Sequence, residues 1–460
     1  MSQAHHFDPS VLREYDIRGV IGDTLSAADA VAIGRAFGTT VRRAGGRKIC
    51  VGYDGRLSSP ELEAALVEGL TGVGLNVLRI GLGPTPLLYF AVNHLAADGG
   101  VMITGSHNPP DYNGFKMMIG LKPFFGKQIG ELGRLAAAGD FATGPAGQAS
   151  RVDLAETYIE RILQDFDGGP LAVGWDPGNG AAGAVLEALV GRLPGRHMVI
   201  NGEIDGHFPN HHPDPTDPAT LTQLQKLVAE EGLDVGIAFD GDADRIGAID
   251  SQGRIVWGDQ LLVFLAREVL AEVPGATIIA DVKASEVLFD EVRKMGGKPL
   301  MWRTGHSLIK QKMAETGAPL AGEMSGHIFY AHHYYGFDDA IYAALRLLSA
   351  ISHQGGSLAA LYDALPKMVN TPELRFPCPE ERKFAVPEEV RAHLAAQGAK
   401  VNNIDGVRVT TDDGWWLLRA SNTQAVLVAR CEASSEAGLA RLKASLADEL
   451  RHAGITPPDL

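Results

Sequence analysis

The chain has 460 residues and a formal net charge of −15, from 41 Lys and Arg against 56 Asp and Glu. That length exceeds one core and predicts roughly three or four domains. Such acidity makes nucleic acid and anionic membranes poor partners, so any phosphate-binding surface must gather its cations locally. No apolar run is long enough to span a bilayer, and the first residues lack the basic start and apolar core of a signal peptide. Cys50, Cys378 and Cys431 form no metal-binding spacing and cannot all pair, which suits a reducing, cytoplasmic setting.

Near the start stands Arg13-Glu14-Tyr15-Asp16-Ile17-Arg18-Gly19. The pattern then predicts a helix over 27–44, a strand over 48–54, a helix over 60–72 and a strand over 76–80. Asp54-Gly55-Arg56 runs into Ser58-Ser59-Pro60, a capped helix start. Gly83-Pro84-Thr85-Pro86 opens another helix, and a strand is expected over 100–103. This alternation implies an α/β layered unit. The last strand delivers Thr104-Gly105-Ser106-His107-Asn108-Pro109-Pro110 and then 111–116, ending in Lys116. Gly105 permits a tight turn and the prolines stiffen the exit. Ser106 therefore sits at the tip of a stiff loop past the C-terminal end of a strand, where open α/β sheets place their sites. A plain turn, with Ser106 and Asn108 bonding their own backbone, is the competing reading.

The Ala- and Gly-rich stretch 136–149 reads as linker, and a helix over 154–164 leads into a second α/β unit. Its strand over 171–175 meets Gly178, Gly180 and Gly183 in a G-x-G-x-x-G spacing, with Glu203 downstream. That spacing fits a dinucleotide site, but also close packing in a strand-to-helix turn. His211 and His212 stand in a proline-rich segment. Adjacent histidines do not easily share one tetrahedral ion, which favours a polar loop. An apolar strand over 234–239 then delivers Asp240, Asp242 and Asp244, followed by Arg245. Three carboxylates this close repel unless a cation neutralises them, and an oxygen-only set suits a hard ion such as Mg²⁺. A phosphatase with Asp240 as nucleophile and Asp242 as acid is the rival, though it leaves Asp244 and Arg245 without a role. An EF-hand fails, because Arg245 replaces its glycine and Ser251 its bidentate glutamate.

A third α/β unit is expected from a helix over 261–272, a strand over 277–281 and a helix capped by Ser285 after Lys283. It contains Arg303-Thr304-Gly305-His306-Ser307 and Gly322-Glu323-Met324-Ser325-Gly326-His327. Glu323 can accept two vicinal hydroxyls, Ser325 can bond a third group, and His327 can move a proton near neutral pH. A helix from Asp339 to about 352 follows. The character changes near 373–379, with a helix over 387–397 and strands over 406–410 and 425–430. Between the last two lies Arg419-Ala420-Ser421-Asn422-Thr423-Gln424, a guanidinium with small polar residues suited to phosphate oxygens.

The serine loop with Lys116 closely resembles the phosphoserine loop of the α-D-phosphohexomutases, in particular the phosphomannomutase/phosphoglucomutase branch. The later loops resemble that family's metal, sugar and phosphate loops in order. The resemblance implies three similar α/β layered domains plus a smaller α+β C-terminal domain around a central cleft, at 1–150, 151–252, 253–367 and 368–460. It implies a phosphoryl group on Ser106 and Mg²⁺ held by Asp240, Asp242, Asp244 and a phosphoserine oxygen. Sugar would be gripped by Glu323, Ser325 and His327, and the distal phosphate by Arg419, Ser421, Asn422 and Thr423. Tyr15 would stand at the cleft, Arg18 near the phosphoserine and Lys283 at the border. Arg18, Lys116 and Arg245 would neutralise phosphoryl charge, and His107, Lys116, His306 and His327 are candidates for acid/base work.

The implied activity is an isomerase converting hexose 1-phosphate and hexose 6-phosphate reversibly through a bound 1,6-bisphosphate, which also serves as activator. Its partners would be small hexose phosphates, with no nucleic acid or membrane, and the chain a monomer. Met324 is typical of the branch accepting mannose and glucose phosphates, whereas glutamine there would point to glucosamine phosphate. Phosphoglucosamine mutase, a sugar-phosphate phosphatase, an NAD-dependent dehydrogenase and a non-catalytic sugar-phosphate binder remain as alternatives.

Overall fold

The computed structural model describes residues 4–422 and 424–457. Thr423 lies outside the described residues. Four sheets follow one another along the chain. The first orders its strands Ile17–Val20, Tyr112–Ile119, Gly99–Ile103, Lys48–Tyr53, Asn76–Leu82 and Ala149–Arg151. The inner pairs Gly99–Ile103 with Lys48–Tyr53, and Lys48–Tyr53 with Asn76–Leu82, are parallel, while Tyr112–Ile119 returns antiparallel. The second sheet repeats this plan with Leu171–Asp176 and Gly195–Val199 parallel to Val235–Phe239 and Ile246–Asp250 returning. The third does so with Thr277–Asp281 and Leu320–Gly322, and Ile328–Tyr330 returning. The fourth is antiparallel along its whole path, with the helices Ala385–Ala396 and Glu436–His452 against it. Three α/β layered domains and a smaller α+β domain are thus present.

The shared plan positions the site. In each of the first three sheets a buried parallel strand ends, a polar loop follows, and an antiparallel strand carries the chain back. Ile103 pairs with Phe115, Phe239 with Ile246, and Gly322 with Ile328. The serine, acidic and sugar loops are these three reversals. The fourth loop is the hairpin between Gly414–Ala420 and Val426–Ala433. Buried apolar strands tolerate no unpaired backbone, so each reversal is fixed by the ladder on both sides.

The helix Thr85–His94 joins the first sheet to the rest. It buries Leu87, Leu88 and Phe90 in one core shared with Tyr158, Trp175 and the helix Ala340–His353. A separate core lies under the helices Ala27–Arg43 and Lys127–Ala138. Ser26 and Asp29 form a reciprocal cap at the first of these, and Asp339 accepts from the Tyr342 amide at 2.9 Å to start Ala340–His353.

Several expectations change. The linker over 136–149 is shorter, since its first residues end the helix Lys127–Ala138 and Ala149–Arg151 adds an edge strand paired with Asn76–Leu82. Ile129, Leu132 and Ala136 form a buried face of helical spacing that the Ala/Gly composition concealed. The strands Ala149–Arg151 and Ile255–Val256 pair within the first and second sheets. These two strands lie at or just past the expected domain limits of 150 and 252. The G-x-G-x-x-G glycines serve packing: a Cβ on Gly180 would lie 2.8 Å from the Gly241 carbonyl, and one on Gly183 1.9 Å from that of Gly202.

Candidate active site

Ser106 has φ +49°, a left-handed conformation that a serine adopts only when its surroundings impose it. The imposing group is Arg56, whose side chain is fully buried. Nη1 donates to the carbonyls of Pro109 (2.5 Å) and Tyr112 (2.9 Å), and Nη2 to those of Ser106 (2.9 Å) and Asn108 (2.5 Å). Asp54 takes the Gly105 amide at 3.0 Å and pairs with Arg56 Nε at 3.3 Å. From the other side Arg18 donates to the Gly105 carbonyl (3.1 Å) and Asn108 Oδ1 (2.5 Å), braced by Asp16. The loop backbone is thus held rigid without using the Ser106 hydroxyl.

That hydroxyl points at the acidic loop. Ser106 Oγ donates to Asp240 Oδ2 at 2.9 Å and lies 3.2 Å from His107 Nδ1. A Cβ on Gly241 would meet the Ser106 carbonyl at 2.4 Å, so glycine is needed for the two loops to approach this closely. Asp240, Asp242 and Asp244 are fully buried, with ligand atoms within 4.8 Å of one another. Lys116 bridges Asp242 (2.7 Å) and Asp244 (2.5 Å), and Thr85 donates to Asp242 Oδ2 at 2.6 Å. Burial opposes the Lys116 charge, yet the three carboxylates overcome it and hold its pKa above the ordinary lysine value. Burial and the Asp242 and Asp244 charges push Asp240 well above the carboxylate range. Asp242 resists the same burial because Lys116 and Thr85 hold it below its usual value. One oxygen each of Asp242 and Asp244 is buried with no hydrogen-bond partner among the described residues. Orphaned carboxylate oxygens beside a repelling neighbour, in an oxygen-only set, fit a hard divalent cation.

The third reversal adjoins the second. Arg245 Nε donates to His327 Nε2 at 3.0 Å, and His327 Nδ1 lies 3.5 Å from Asp244 and 3.1 Å from Asp338. Glu323 accepts the Gly305 amide at 2.6 Å and the Ser325 hydroxyl at 3.0 Å. His306 stacks on His327 with ring centroids 5.6 Å apart, and Lys310 pairs with Asp338 at 2.8 Å. Burial, then the Lys310 charge, hold His306 well below its ordinary pKa; burial, then Arg245 and Arg18, do the same for His107. Both imidazoles are therefore kept neutral.

Family models for each of the four units match in order. "Phosphoglucomutase/phosphomannomutase, alpha/beta/alpha domain I" covers residues 10–128, domain II 156–253, domain III 257–369, and the C-terminal domain 373–449. The chain belongs to the phosphoglucomutase/phosphomannomutase family. It is 44% identical over 443 residues to a phosphomannomutase/phosphoglucomutase of Pseudomonas aeruginosa, covering 96% of each chain. It is 42% identical over 437 residues to a phosphoglucomutase of Neisseria gonorrhoeae, covering 94% of this chain and 95% of that one. A solved structure of a phosphoglucomutase/phosphomannomutase family protein from Burkholderia thailandensis superposes with a TM-score of 0.92 at 43% identity, covering 97% of this chain and 98% of that one.

In this family member the fourth unit is drawn onto the first and third. Tyr15 donates its hydroxyl to the Thr304 carbonyl at 2.8 Å and accepts from Asn422 Nδ2. Arg419 Nε pairs with Asp405 at 3.0 Å, and the same carboxylate oxygen takes the Thr304 amide at 3.0 Å. Ser421 Oγ accepts the Gln424 amide at 3.2 Å. Lys283 stands apart from the serine, paired with Glu373 at 2.9 Å where the fourth unit begins. Among the described residues, the candidates of the first three loops gather around Ser106 and His327, Tyr15 joins them to Asn422 of the fourth loop, and Lys283 pairs with Glu373.

Sequence reasoning passed over Arg56, Thr85, Asp338, Lys310, Asp405 and Glu373. Arg56 and Thr85 lie in stretches that read as helix starts, and their partners are remote in the chain. Asp338 had a signal, since a carboxylate beside the helix-capping Asp339 is one more than a cap needs.

Proposed function

We propose that this chain reversibly interconverts hexose 1-phosphates and hexose 6-phosphates of mannose and glucose, as a phosphohexomutase with Ser106 as phosphoryl carrier. The observation that carries this is the Ser106 hydroxyl, 2.9 Å from Asp240 and buried at the meeting of the acidic and sugar loops. A phosphoryl group on Ser106 would face Lys116, Arg18 and Arg245, which stabilise its charge during transfer. Burial excludes water, so the group passes to a sugar hydroxyl rather than being hydrolysed. The sugar is gripped by Glu323 and Ser325. His327 or the neutral His107 or His306 accepts the hydroxyl proton as the O–P bond forms and the Ser106 O–P bond breaks. The resulting 1,6-bisphosphate turns over, and the other phosphate returns to Ser106.

Arg419 with Ser421, Asn422 and Thr423 holds the non-reacting phosphate, and Lys283 adds charge at the border. Asp240, Asp242, Asp244 and a phosphoserine oxygen would hold Mg²⁺, which when bound supplies Lewis-acid withdrawal from the phosphoryl oxygens. Hexose 1,6-bisphosphate is the proposed activator. We also place the chain in the cytoplasm, where three buried free thiols would stay reduced, and take it to act as a monomer.

Both oxygens of Asp240 are engaged, Oδ1 by the Asp244 and Arg245 amides at 3.1 Å and Oδ2 by Ser106. That favours a ligand over a phosphatase nucleophile. The test supplies mannose, glucose or glucosamine 1-phosphate with Mg²⁺ and trace bisphosphate, followed by phosphorus NMR. The 6-phosphates of mannose and glucose are expected without inorganic phosphate. Stoichiometric release of inorganic phosphate, or turnover of glucosamine phosphate alone, would overturn the proposal.

A further inference from the structure

Away from the cleft, a second set of metal-donor atoms converges. Glu272 is the last residue of the helix Gly258–Glu272, and His332 and His333 lie between the strands Ile328–Tyr330 and Phe337–Asp338. Glu272 Oε2 is 3.0 Å from His333 Nε2 and 3.3 Å from His332 Nε2. Ligand atoms of the three residues lie within 4.8 Å of one another. Nitrogen and oxygen ligands about 2.0–2.1 Å from a tetrahedral ion stand roughly 3.3 Å apart, so both measured edges are near ligand spacing.

Adjacent side chains on an extended segment point to opposite faces, so neighbouring histidines ordinarily diverge. Here His333 has φ +58°, which folds the two rings together with centroids 4.0 Å apart. The turn is held from both sides. The Ala331 and His332 amides both donate to the Pro319 carbonyl, at 2.8 and 2.9 Å. Arg161 donates to the His333 carbonyl and lies over the Tyr334 and Tyr335 rings at 4.9 and 5.1 Å.

The charge environment agrees. Glu272 stands at a helix C-terminus, where the aligned peptide dipoles favour a cation. Arg346 opposes a cation there, but its Nη1 is turned to the Asp165 carbonyl at 2.5 Å. Glu272 and His333 side chains are each 54% exposed and His332 10%, so the set opens to solvent on one side.

We propose that Glu272, His332 and His333 bind a divalent ion of the zinc class, with water in the open position. Two imidazoles and a carboxylate are a borderline donor set, distinct from the oxygen-only triad at Asp240. The ion clips the end of a helix to the connection that joins the strand after His327 to Asp338. It takes no part in phosphoryl transfer.

The test uses the full-length protein saturated with Mg²⁺, with Co²⁺ as a visible probe and Zn²⁺ in calorimetry. One equivalent of Zn²⁺ is expected, with a tetrahedral Co²⁺ spectrum and a metal-dependent rise in Tm. His333→Asn tolerates the left-handed turn, and Glu272→Gln is exposed, so both variants should fold. Unfolding in chelator checks this. Each should weaken Zn²⁺ by more than the about 10–100-fold seen on losing an outer-shell partner. Asp244→Asn, which disturbs the acidic triad in the cleft, should leave the Co²⁺ spectrum unchanged. Absence of Zn²⁺ binding, an unchanged spectrum in His333→Asn, or its loss in Asp244→Asn would each overturn the assignment.

Discussion

Replacing Arg56 by methionine roughly keeps the volume of the side chain but removes every hydrogen bond that the guanidinium makes to the serine loop. Four carbonyls and the Asp54 carboxylate lose a partner where Arg56 is 1% exposed, although the Pro109 carbonyl keeps the Tyr112 amide at 3.0 Å and Asp54 keeps the Gly105 amide. Buried acceptors left unmade cost about 1–3 kcal/mol each, so the other three carbonyls would sum to about 3–9 kcal/mol in a rigid site. The loop relaxes and admits water before that sum is reached. Breaking a buried charged pair, at about 3–5 kcal/mol, is the better bound. Local opening should therefore become about 10²–10⁴-fold more frequent, and hydrogen exchange at the amides of 104–108 should speed up by that factor. Turnover should fall by about 10²-fold, because a serine displaced by about 1 Å is out of line with the accepting hydroxyl. Arg56→Lys keeps the charge but has three donors for five acceptors, and should fall between. Hydrogen exchange by mass spectrometry and steady-state kinetics read both effects. Wild-type kcat in Arg56→Met, with unchanged exchange over 104–108, would refute the reasoning.

Two further outcomes follow from the same geometry. Thr85→Val removes the hydroxyl that donates to Asp242 Oδ2 and should weaken Mg²⁺ activation by about 10–100-fold, with kcat at saturating Mg²⁺ little changed; an unchanged Mg²⁺ titration contradicts this. His211 faces the His212 carbonyl with Nδ1 and the Asp176 carboxylate with Nε2, both at 2.9 Å, so both nitrogens donate. Burial opposes that charge, yet the Asp176 contact raises the His211 pKa above its ordinary value. Its stabilisation is full below about pH 6.5 and disappears as pH rises through the raised folded value. An imidazole titration by NMR should show a midpoint above 6.5, with faster exchange at the Gly178 amide on the alkaline side; a midpoint below 6.5 sinks the argument.

The site loops were legible because each is delivered by a strand whose apolar run is local. Val235–Phe239 is continuous and buried, and three carboxylates directly after it have no ordinary structural use. The return strands were not legible: Ile246–Asp250 and Ile328–Tyr330 are short, and only pairing with the preceding strand defines them. Arg56 shows the same limit at a side chain. Nothing near residue 56 signals that its guanidinium closes on carbonyls about fifty residues later, because that contact is made by the sheet order. The helix Lys127–Ala138 was hidden by its Ala and Gly content, although Ile129, Leu132 and Ala136 carry a helical period. Recognition of the sugar loop rested on resemblance, since Glu-x-Ser-x-His has no periodicity of its own.

Intact-mass spectrometry of freshly prepared protein tests the central claim most directly. A fraction of the chains should carry one phosphoryl group on Ser106, the group should leave on adding a hexose phosphate in excess, and a bisphosphate should restore it. Ser106→Ala should show no such adduct and almost no turnover while still binding substrate. A fully active enzyme that never carries phosphate at Ser106, or a Ser106→Ala variant with near wild-type turnover, would contradict the account.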